Sequence, residues 1–257
     1  MCQEAGGFDA LEWATSLEEP VTERAVARLD AMVARRRSGE PIQYVLGSWP
    51  FRTVELMIDR RVLIPRPETE LLAEMVINEA RTLPERVVVD LGTGSGAIEL
   101  ACAAELPIER TVVWATDVSV DALAVARANT AGLGRAAANV RIGEGSWFQA
   151  LPDELRGAVD VVVSNPPYIA EGDPEVAPDV LAWEPHAALF SGADGLDAVR
   201  SIVSGAADWL RPGGLLLIEI GYRQGDAVKA LLLGAGFRDV QIRADLTGRD
   251  RIAYARR

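Results

Sequence analysis

The chain has few of the side chains that metal sites and disulfide frameworks require. Its 257 residues include two cysteines, Cys2 and Cys102, and one histidine, His186. Two cysteines so far apart in sequence support neither a disulfide framework nor a cysteine-rich zinc site, and one histidine excludes a multi-histidine site. Only carboxylate-based metal sites remain, and we predict no metal. Catalysis by a histidine base would depend on His186, which we interpret as a polar loop residue.

Long apolar segments and an excess of positive charge are also missing. No apolar run reaches the ~18 residues that span a bilayer, and the first ten residues lack the basic segment and apolar core of a secretory signal. The formal net charge is −12. This charge disfavours a long nucleic-acid groove, because Lys and Arg supply most of the affinity for phosphates. The sequence therefore predicts a cytoplasmic protein without a membrane partner, for which nucleic acid is a disfavoured partner.

The first 70 residues differ in pattern from the rest. The segments FDALEWATSL and TERAVARLDAMVARRR predict two helices, the second with an apolar face of Ala25, Val26, Leu29, Met32 and Val33. The cluster Arg35–Arg37 falls at the expected end of that helix, where cations suit the helix dipole. Prolines and period-two stretches follow. We divide the chain into a short N-terminal helical domain (1–39), a hairpin connector (40–70) and a main domain (71–257).

The main domain alternates predicted strands and helices. The segments RVVVDLG, TVVWATD, VDVVVSN and GLLLIEIG are short apolar runs, as central strands covered on both faces show. Helical stretches such as VDALAVARANTAGL separate them, and this alternation predicts an α/β fold with a mostly parallel sheet. The last segment, FRDVQIRADLTGRDRIAYAR, predicts an antiparallel hairpin at the edge of the sheet.

A glycine-rich loop follows the first strand, at the sheet edge where open α/β proteins bind their ligands. The loop consists of Asp90, Leu91, Gly92, Thr93, Gly94, Ser95 and Gly96. Its glycines permit a tight turn and a close backbone approach to a ligand. The second strand ends at Asp117, whose carboxylate can accept hydrogen bonds from both hydroxyls of a ribose. Together, these features predict a nucleoside-bearing cofactor.

These two features leave more than one cofactor open. Residues 92–97 also satisfy the G-x-G-x-x-A dinucleotide pattern, so NAD remains an alternative. No Gly-Lys-Ser/Thr follows the loop, which disfavours a phosphate-binding P-loop. A third interpretation is that the glycines serve only to pack the strand against the helix. That interpretation does not explain why an acid, Asp117, ends the second strand.

The segment VVVSNPPYIA, residues 161–170, ends a strand with an amide, two prolines and an aromatic ring. Proline cannot extend a strand ladder, so the backbone becomes rigid and its carbonyls remain free to accept. The Asn165 side-chain oxygen and the Pro166 carbonyl could accept both hydrogens of a planar NH2 group, to which Tyr168 offers an aromatic face. An Asx-turn with a half-buried tyrosine is the alternative. Beside the glycine loop and Asp117, a binding site is the favoured interpretation.

The combination of Asn-Pro-Pro-Tyr after the fourth strand and DLGTGSG after the first resembles the S-adenosylmethionine-dependent methyltransferases that act on planar NH2 groups. These include N6-adenine DNA methyltransferases and protein glutamine methyltransferases. Further segments resemble the release factor glutamine N5-methyltransferase family, PrmC or HemK, over roughly residues 38–257. They are GEPIQYVLG, VLIPRPETELL, SNPPYI, EPHAALFSGADGLDAVRSI, PGGLLLIEIGYRQG and DLTGRDRI. The resemblance implies a Rossmann-like class I methyltransferase fold in residues 71–257.

The resemblance also implies a role for each motif. The residues expected to bind S-adenosylmethionine, and its product S-adenosylhomocysteine, are Asp90, Gly92, Thr93, Gly94, Ser95, Gly96, Asp117, Trp147 and Asn165. Among these, Asp117 would bind the ribose, and Trp147 with its neighbour Phe148 would border the adenine. The residues expected to hold the substrate glutamine are Asn165, Pro166, Pro167 and Tyr168, of which Asn165, Pro166 and Tyr168 would be catalytic. The implied partner is the Gly-Gly-Gln loop of a peptide chain release factor.

Two departures from the family pattern keep alternatives open. Ser146 stands where relatives commonly have an aspartate before the aromatic pair, which predicts weaker cofactor binding. The N-terminal helical region is shorter than in typical relatives and would contribute to docking the protein partner. The alternatives are a ribosomal protein substrate, N6-adenine methylation of nucleic acid, and a non-catalytic S-adenosylmethionine-binding module. The sequence also leaves open whether Glu68, Glu70 and Glu184 contact substrate or brace loops.

Overall fold

The computed structural model describes residues 1–257, except for the side chain of Ala10. The helices are α1 (Cys2–Gly6), α2 (Ala10–Thr15), α3 (Glu23–Arg37), α4 (Ile42–Leu46), α5 (Pro67–Arg81), α6 (Ala97–Glu105), α7 (Val120–Leu133), α8 (Pro178–Trp183), α9 (His186–Leu189), α10 (Asp197–Trp209) and α11 (Gly225–Gly234). The strands are β1 (Ser48–Phe51), β2 (Val54–Met57), β3 (Arg86–Leu91), β4 (Thr111–Asp117), β5 (Val140–Glu144), β6 (Val159–Ser164), β7 (Leu210–Glu219), β8 (Arg238–Ala244) and β9 (Asp250–Arg256). No helix of the described chain has the length and apolar character needed to cross a membrane.

Seven strands form one sheet in the order β5-β4-β3-β6-β7-β9-β8. Strands β3 to β7 pair in parallel, whereas β9 pairs antiparallel with both β7 and β8. The predicted α/β fold with an antiparallel C-terminal edge hairpin is therefore confirmed. Strand β5 has no counterpart among the predicted strands. It is an edge strand in which only Val140 is buried, so the sequence there lacks the apolar run that marks the central strands.

Both faces of the sheet are covered, which explains the uninterrupted apolar runs of the central strands. Successive residues of a strand point to opposite faces. Val88 and Val161 consequently pack in the cluster that includes α5, α6 and α7, while Val89 and Val162 pack in the cluster that includes α10 and α11. All four valines are fully buried. The parallel strands end together at one edge, where the functional motifs lie.

The two helices predicted for the N-terminal region are confirmed as α2 and α3. The Thr22 hydroxyl caps α3 by accepting from Ala25 N at 3.1 Å. The predicted apolar face of α3 is wrong in part, because only Met32 is buried while Val26 and Val33 stay exposed. The small cluster of Met32 with Ala5 and parts of α4 is too narrow to cover the whole face.

The basic end of α3 has a structural role. The Arg35 guanidinium donates to both Glu40 carboxylate oxygens, at 2.8 and 2.6 Å, and to the carbonyls of Tyr44 and Val45. This network ties α3 to α4. The contact supports the interpretation of the arginine cluster as a helix-end feature rather than a phosphate contact.

The β1–β2 hairpin lies within residues 40–70 and packs against the main domain. Phe51 and Leu56 are almost fully buried in the core that includes α5 and α6. The Asn129 side chain of α7 accepts from Met57 N at 2.7 Å and donates to Met57 O at 2.9 Å. These bonds fix the hairpin to α7. The division at residues 39 and 70 stays a prediction.

Candidate active site

A cavity of about 250 Å³ opens at the carboxyl edge of the parallel strands. Its wall brings together the segment before and within α5, the loops after β3, β4, β5 and β6, and the start of α9. The lining residues are Arg61, Val62, Leu63, Pro65, Thr69, Asp90, Gly92, Thr93, Gly94, Ser95, Ala97, Ile98, Asp117, Val118, Ser119, Ala122, Gly145, Ser146, Trp147, Asn165, Pro167, Pro185, Ala187 and Ala188. Residues far apart in sequence therefore share one cavity.

The glycine loop after β3 forms the floor of this cavity through backbone conformations that side chains disfavour. Gly94 has φ +60°, and a Cβ added there would meet no atom within 4 Å, so the space beside it is open to a ligand. Gly96 has φ +86°, and its Cβ would lie 2.9 Å from Glu99 Oε1. Both positions favour glycine because left-handed backbone costs other residues energy. The loop is held by Gly92 N and Thr93 N, which donate to Thr116 O at 2.8 and 2.9 Å.

Asp117 lies at the end of β4 and lines the cavity, as predicted from the spacing. Its Oδ2 accepts from Gly94 N at 2.9 Å, and its Oδ1 accepts from Ser119 N at 2.8 Å. The carboxylate thus joins the glycine loop to the start of α7. Each carboxylate oxygen offers more than one acceptor direction, so Asp117 can also accept from ligand hydroxyls.

Asp90 and Glu99 form a buried acidic pair beneath the glycine loop. The Thr93 hydroxyl lies 2.7 Å from Asp90 Oδ2 and 3.1 Å from Glu99 Oε2, and Thr130 donates to Glu99 Oε1 at 3.1 Å. Burial raises the pKa of Asp90 to about 7, and burial together with the charge of Asp90 raises the pKa of Glu99 to about 8. Asp90 Oδ1 is buried without a hydrogen-bond partner among the described residues. Asp90 lines the cavity, so this unpartnered oxygen is a candidate contact for a bound ligand.

The substitution Glu99→Gln is expected to raise the melting temperature by several degrees more at pH 8.5 than at pH 5.5. The pKa of Glu99 is higher in the folded state than in the unfolded chain, where it is near 4.5. The folded state therefore binds more protons between these pKa values, and stability falls as the pH rises from about 4.5 to about 8. Glutamine removes this proton uptake. Thermal unfolding of both proteins at the two pH values checks the result, and an equal difference at both would contradict it.

Trp147 lines the cavity, whereas the neighbouring Phe148 does not form part of the wall. Trp147 has φ +49°, an unusual backbone conformation for a bulky residue and one that is concentrated at functional sites. Phe148 is buried in the core and stacks on Trp209 with ring centroids 5.8 Å apart. The expectation that Phe148 borders the cofactor is therefore corrected, because its ring packs on Trp209 in the core and does not reach the cavity wall. Ser146 lies on the cavity wall.

The Asn-Pro-Pro-Tyr segment leaves β6 at the same edge of the sheet. Asn165 and Pro167 line the cavity, while Pro166 is buried and Tyr168 is half-buried beside it. The Asn165 side-chain NH2 donates to Thr69 Oγ1 at 3.1 Å, and the Tyr168 hydroxyl lies 3.5 Å from Glu219 Oε1. Burial raises the pKa of Tyr168, and the nearby charge of Glu219 raises it further. Tyr168 is therefore a neutral phenol at physiological pH.

Two acidic residues of the family-like segments brace loops. Glu184 is 7% exposed, accepts from Ile64 N at 3.1 Å and forms an ion pair with Arg66. This contact joins the segment before α5 to the segment before α9, both of which contribute to the cavity wall. Glu70 Oε1 accepts from Arg52 N at 3.1 Å in the β1–β2 turn.

The substitution Glu184→Ala is expected to lower the free energy of unfolding by about 2 kcal/mol. It leaves Ile64 N–H buried without its acceptor and removes the partner of Arg66, whose partial exposure limits the loss. Chemical denaturation measures the change. Glu175→Ala is the control, because it removes an ion pair with Arg223 whose side chains are mostly exposed, and no measurable change is expected. Equal effects of the two substitutions would contradict the loop-bracing role.

His186 lies outside the cavity wall. Its side chain is 70% exposed, its Nε2 is 3.6 Å from Glu171 Oε2, and its ring stacks on Phe190. The structure places His186 as the first residue of the short helix α9 and not in a loop, while its exposure agrees with a polar surface position. Within the described residues, no group of three or more His, Cys, Asp or Glu side chains is arranged to hold a metal ion.

The fold is that of the class I methyltransferases. A methyltransferase from Pyrococcus furiosus aligns with a TM-score of 0.55 at 18% identity, covering 90% of this chain and 98% of that one. The family model described as the methyltransferase small domain matches residues 67–184, and the model described as the PrmC N-terminal domain matches residues 1–47. Nucleic-acid and protein methyltransferases share this architecture, so the fold alone leaves the substrate open.

The curated relatives are more specific. The release factor glutamine methyltransferase of Burkholderia pseudomallei is 46% identical over 253 residues, which cover 97% of this chain and 87% of the relative. The release factor glutamine methyltransferase of Cereibacter sphaeroides is 43% identical over 98% of this chain and 87% of the relative. The chain therefore belongs to the release factor glutamine methyltransferase family, and the resemblance drawn from its motifs is confirmed.

Proposed function

We propose that this protein transfers a methyl group from S-adenosylmethionine to the side-chain nitrogen N5 of a glutamine, in the Gly-Gly-Gln loop of a peptide chain release factor. The observation that carries the proposal is one cavity whose wall contains Asp90, Gly94 and Asp117 on one side and Asn165 and Pro167 on another. The first group suits a nucleoside-bearing cofactor, and the second suits a planar amide. The names of the curated relatives support the release factor as substrate.

The cofactor side of the cavity fits S-adenosylmethionine. Asp90 offers a buried oxygen without a partner among the described residues, Gly94 leaves open space, and Asp117 can accept from ribose hydroxyls. Trp147 offers apolar surface for a purine. When bound, S-adenosylmethionine supplies a methyl group on a positively charged sulfur.

The substrate side acts by orientation and preorganised electrostatics. An amide nitrogen is a weak nucleophile, because its lone pair is delocalised into the carbonyl. In the proposed mechanism, the Asn165 side-chain oxygen and the Pro166 carbonyl accept the two hydrogens of the substrate NH2, and Tyr168 supports the plane of the amide. These acceptors would increase electron density on nitrogen and fix the orientation of the amide for transfer. The methylated nitrogen is far more acidic than the starting amide, so its proton passes to water without a dedicated base.

A large protein partner also suits the N-terminal helices. Leu11, Leu17, Val26 and Val33 are exposed apolar side chains on or beside α2 and α3. Exposed apolar side chains mark a protein contact surface when they are contiguous. Residues 1–47, which include these side chains, match the N-terminal family model. We propose that these N-terminal helices contribute to docking the release factor.

The test is transfer of a labelled methyl group to a purified release factor, compared with a variant whose Gly-Gly-Gln glutamine is replaced by alanine, with ribosomal proteins and duplex DNA assayed in parallel. Label on the intact release factor alone would support both substrate and site. Label on a ribosomal protein instead would retain glutamine methylation and change the partner. Label on duplex DNA would overturn the proposal in favour of N6-adenine methylation.

A second measurement separates the cofactors. Ligands that bind the folded state raise its melting temperature by an amount that grows with the ratio of ligand concentration to Kd. S-adenosylhomocysteine is expected to stabilise the protein, whereas NAD at the same concentration is expected not to. Stabilisation by NAD alone would contradict the cofactor assignment, and S-adenosylhomocysteine binding without turnover on any protein would indicate a non-catalytic module.

A further inference from the structure

A chain of hydrogen bonds leads from Asn165 into the buried end of β7. The Asn165 NH2 donates to Thr69 Oγ1 at 3.1 Å, and the Thr69 hydroxyl donates to Glu219 Oε2 at 2.8 Å. Thr69 is 4% exposed and Glu219 is 1% exposed. At this burial, solvent competes little for these bonds. The chain joins α5, the loop after β6 and β7.

The donors and acceptors of this chain allow only one arrangement while Glu219 is ionised. A threonine hydroxyl has one hydrogen, and an ionised carboxylate only accepts. The hydrogen of Thr69 is therefore used on Glu219, and its oxygen can only accept from Asn165. Asn165 must then present its NH2 group to Thr69. Its carbonyl oxygen is therefore turned away from Thr69, and Asn165 itself lines the cavity.

We propose that Thr69 and Glu219 are positioning residues, which fix the Asn165 amide with its oxygen toward the NH2 group to be methylated. This inference rests on the proposed function of the same cavity. A flipped Asn165 would offer a donor where the substrate NH2 also donates, and the two groups would repel each other. Glu219 disfavours the flipped amide by taking the hydrogen of Thr69. Glu219 acts through Thr69 because it is too deeply buried to contact the cavity itself.

The charged groups around Glu219 determine when the arrangement holds. Arg251 of β9 favours the ionised carboxylate, Glu68 of α5 opposes it, and the Tyr168 hydroxyl lies 3.5 Å away. Burial raises the pKa of Glu219 to about 7, against the lowering effects of Thr69 and Arg251. A protonated Glu219 can donate to Thr69, which frees the threonine hydrogen and removes the preference of Asn165. The preference of Asn165 for the orientation with its NH2 toward Thr69 therefore weakens as the pH falls through the pKa of Glu219.

The first test compares Thr69→Val with Thr69→Ser in methyl transfer to a release factor. Thr69→Val keeps the shape but removes the hydroxyl, and kcat is expected to fall about tenfold. Thr69→Ser keeps the hydroxyl and is expected to recover most of that loss. Thr111→Val is the matched control, because Thr111 is 2% exposed and its hydroxyl has no partner among the described residues. Its kcat is expected to equal that of the wild type.

The second test is the pH profile of kcat for the wild type and Glu219→Gln. The wild-type kcat is expected to fall on the acidic side of about pH 7. The variant is expected to have a lower kcat at pH 8 and to lack the acidic fall that Glu219 causes. Asp90 and Glu99 are present in both proteins, so the difference between the profiles isolates Glu219. Each protein is also checked for S-adenosylhomocysteine affinity, which is expected to change less than twofold.

The outcomes separate the two proposals. A wild-type protein that methylates no release factor would contradict the proposed function. A wild type that is active, together with a Thr69→Val variant whose kcat matches Thr111→Val, would overturn the positioning role alone. The positioning role would also be overturned if Thr69→Ser recovers none of the kcat lost in Thr69→Val, or if Glu219→Gln retains the wild-type pH profile of kcat.

Discussion

Replacement of Asn165 by alanine is expected to reduce kcat for methyl transfer at least 100-fold while the protein stays folded. Loss of one preorganised hydrogen-bonding group at a reacting centre raises the barrier by about 3 kcal/mol. The Asn165 side chain lines the cavity and makes one hydrogen bond to the protein, to Thr69, so its removal leaves the core intact. Single-turnover methyl transfer at saturating cofactor measures the change, and thermal unfolding checks the fold.

The matched control for this variant is Asn139→Ala. Asn139 is 6% exposed, and neither polar atom of its side chain has a partner among the described residues. It does not line the cavity, so its replacement tests the effect of removing a buried asparagine elsewhere. We expect Asn139→Ala to retain the wild-type kcat. A folded Asn165→Ala protein with normal turnover would refute the proposed reaction.

Replacement of Asp117 by alanine is expected to weaken the binding of S-adenosylhomocysteine by roughly 10-fold to 100-fold. A hydrogen bond to a charged group contributes about 1.5–3 kcal/mol. Asp117 also accepts from Gly94 N and Ser119 N, so the variant loosens the glycine loop as well as removing a ribose acceptor. Titration calorimetry gives the Kd. At saturating cofactor, kcat is expected to fall much less than the affinity does.

Asp121→Ala is the control for the loss of a negative charge near the cavity. Asp121 is an exposed residue in the first turn of α7 and does not line the cavity. We expect its replacement to leave the Kd unchanged within about twofold. If Asp117→Ala binds the cofactor as tightly as Asp121→Ala does, the assignment of Asp117 is wrong.

Sequence patterns were most informative where local rules apply. The central strands were predicted because strands buried on both faces must be apolar throughout. Strand β5 lies at the sheet edge, and its mixed composition gave no such signal. The face of α3 illustrates the opposite error. The apolar residues of α3 recur with a helical period, which correctly predicted a helix. The period does not show whether another element covers that apolar face, and Val26 and Val33 remain exposed.

The candidate site shows the same limit. Trp147 and Phe148 are adjacent in sequence and equally aromatic, yet only Trp147 lines the cavity, because the turn directs Phe148 to Trp209 in the core. Thr69 and Glu219 lie in segments that resemble the family, but no local rule marks either as part of the site. The one available signal concerns Glu219, which is an acid at the end of an apolar strand, at the edge where the other motifs lie.

The sequence by itself determined the chemistry available at that edge. Glycines at positions of left-handed backbone, an acid after the second strand and prolines after Asn165 are local features, each set by backbone geometry or hydrogen-bonding capacity. The tertiary structure alone decided which groups meet. Asn165 and Thr69 are 96 residues apart, and Thr69 and Glu219 are 150 apart. Asn165 and Glu219 come together because the parallel neighbours β6 and β7 end at the same edge of the sheet, and α5 packs Thr69 between them. Thr69 and Glu219 are buried there, so each hydrogen bond has a defined donor and acceptor.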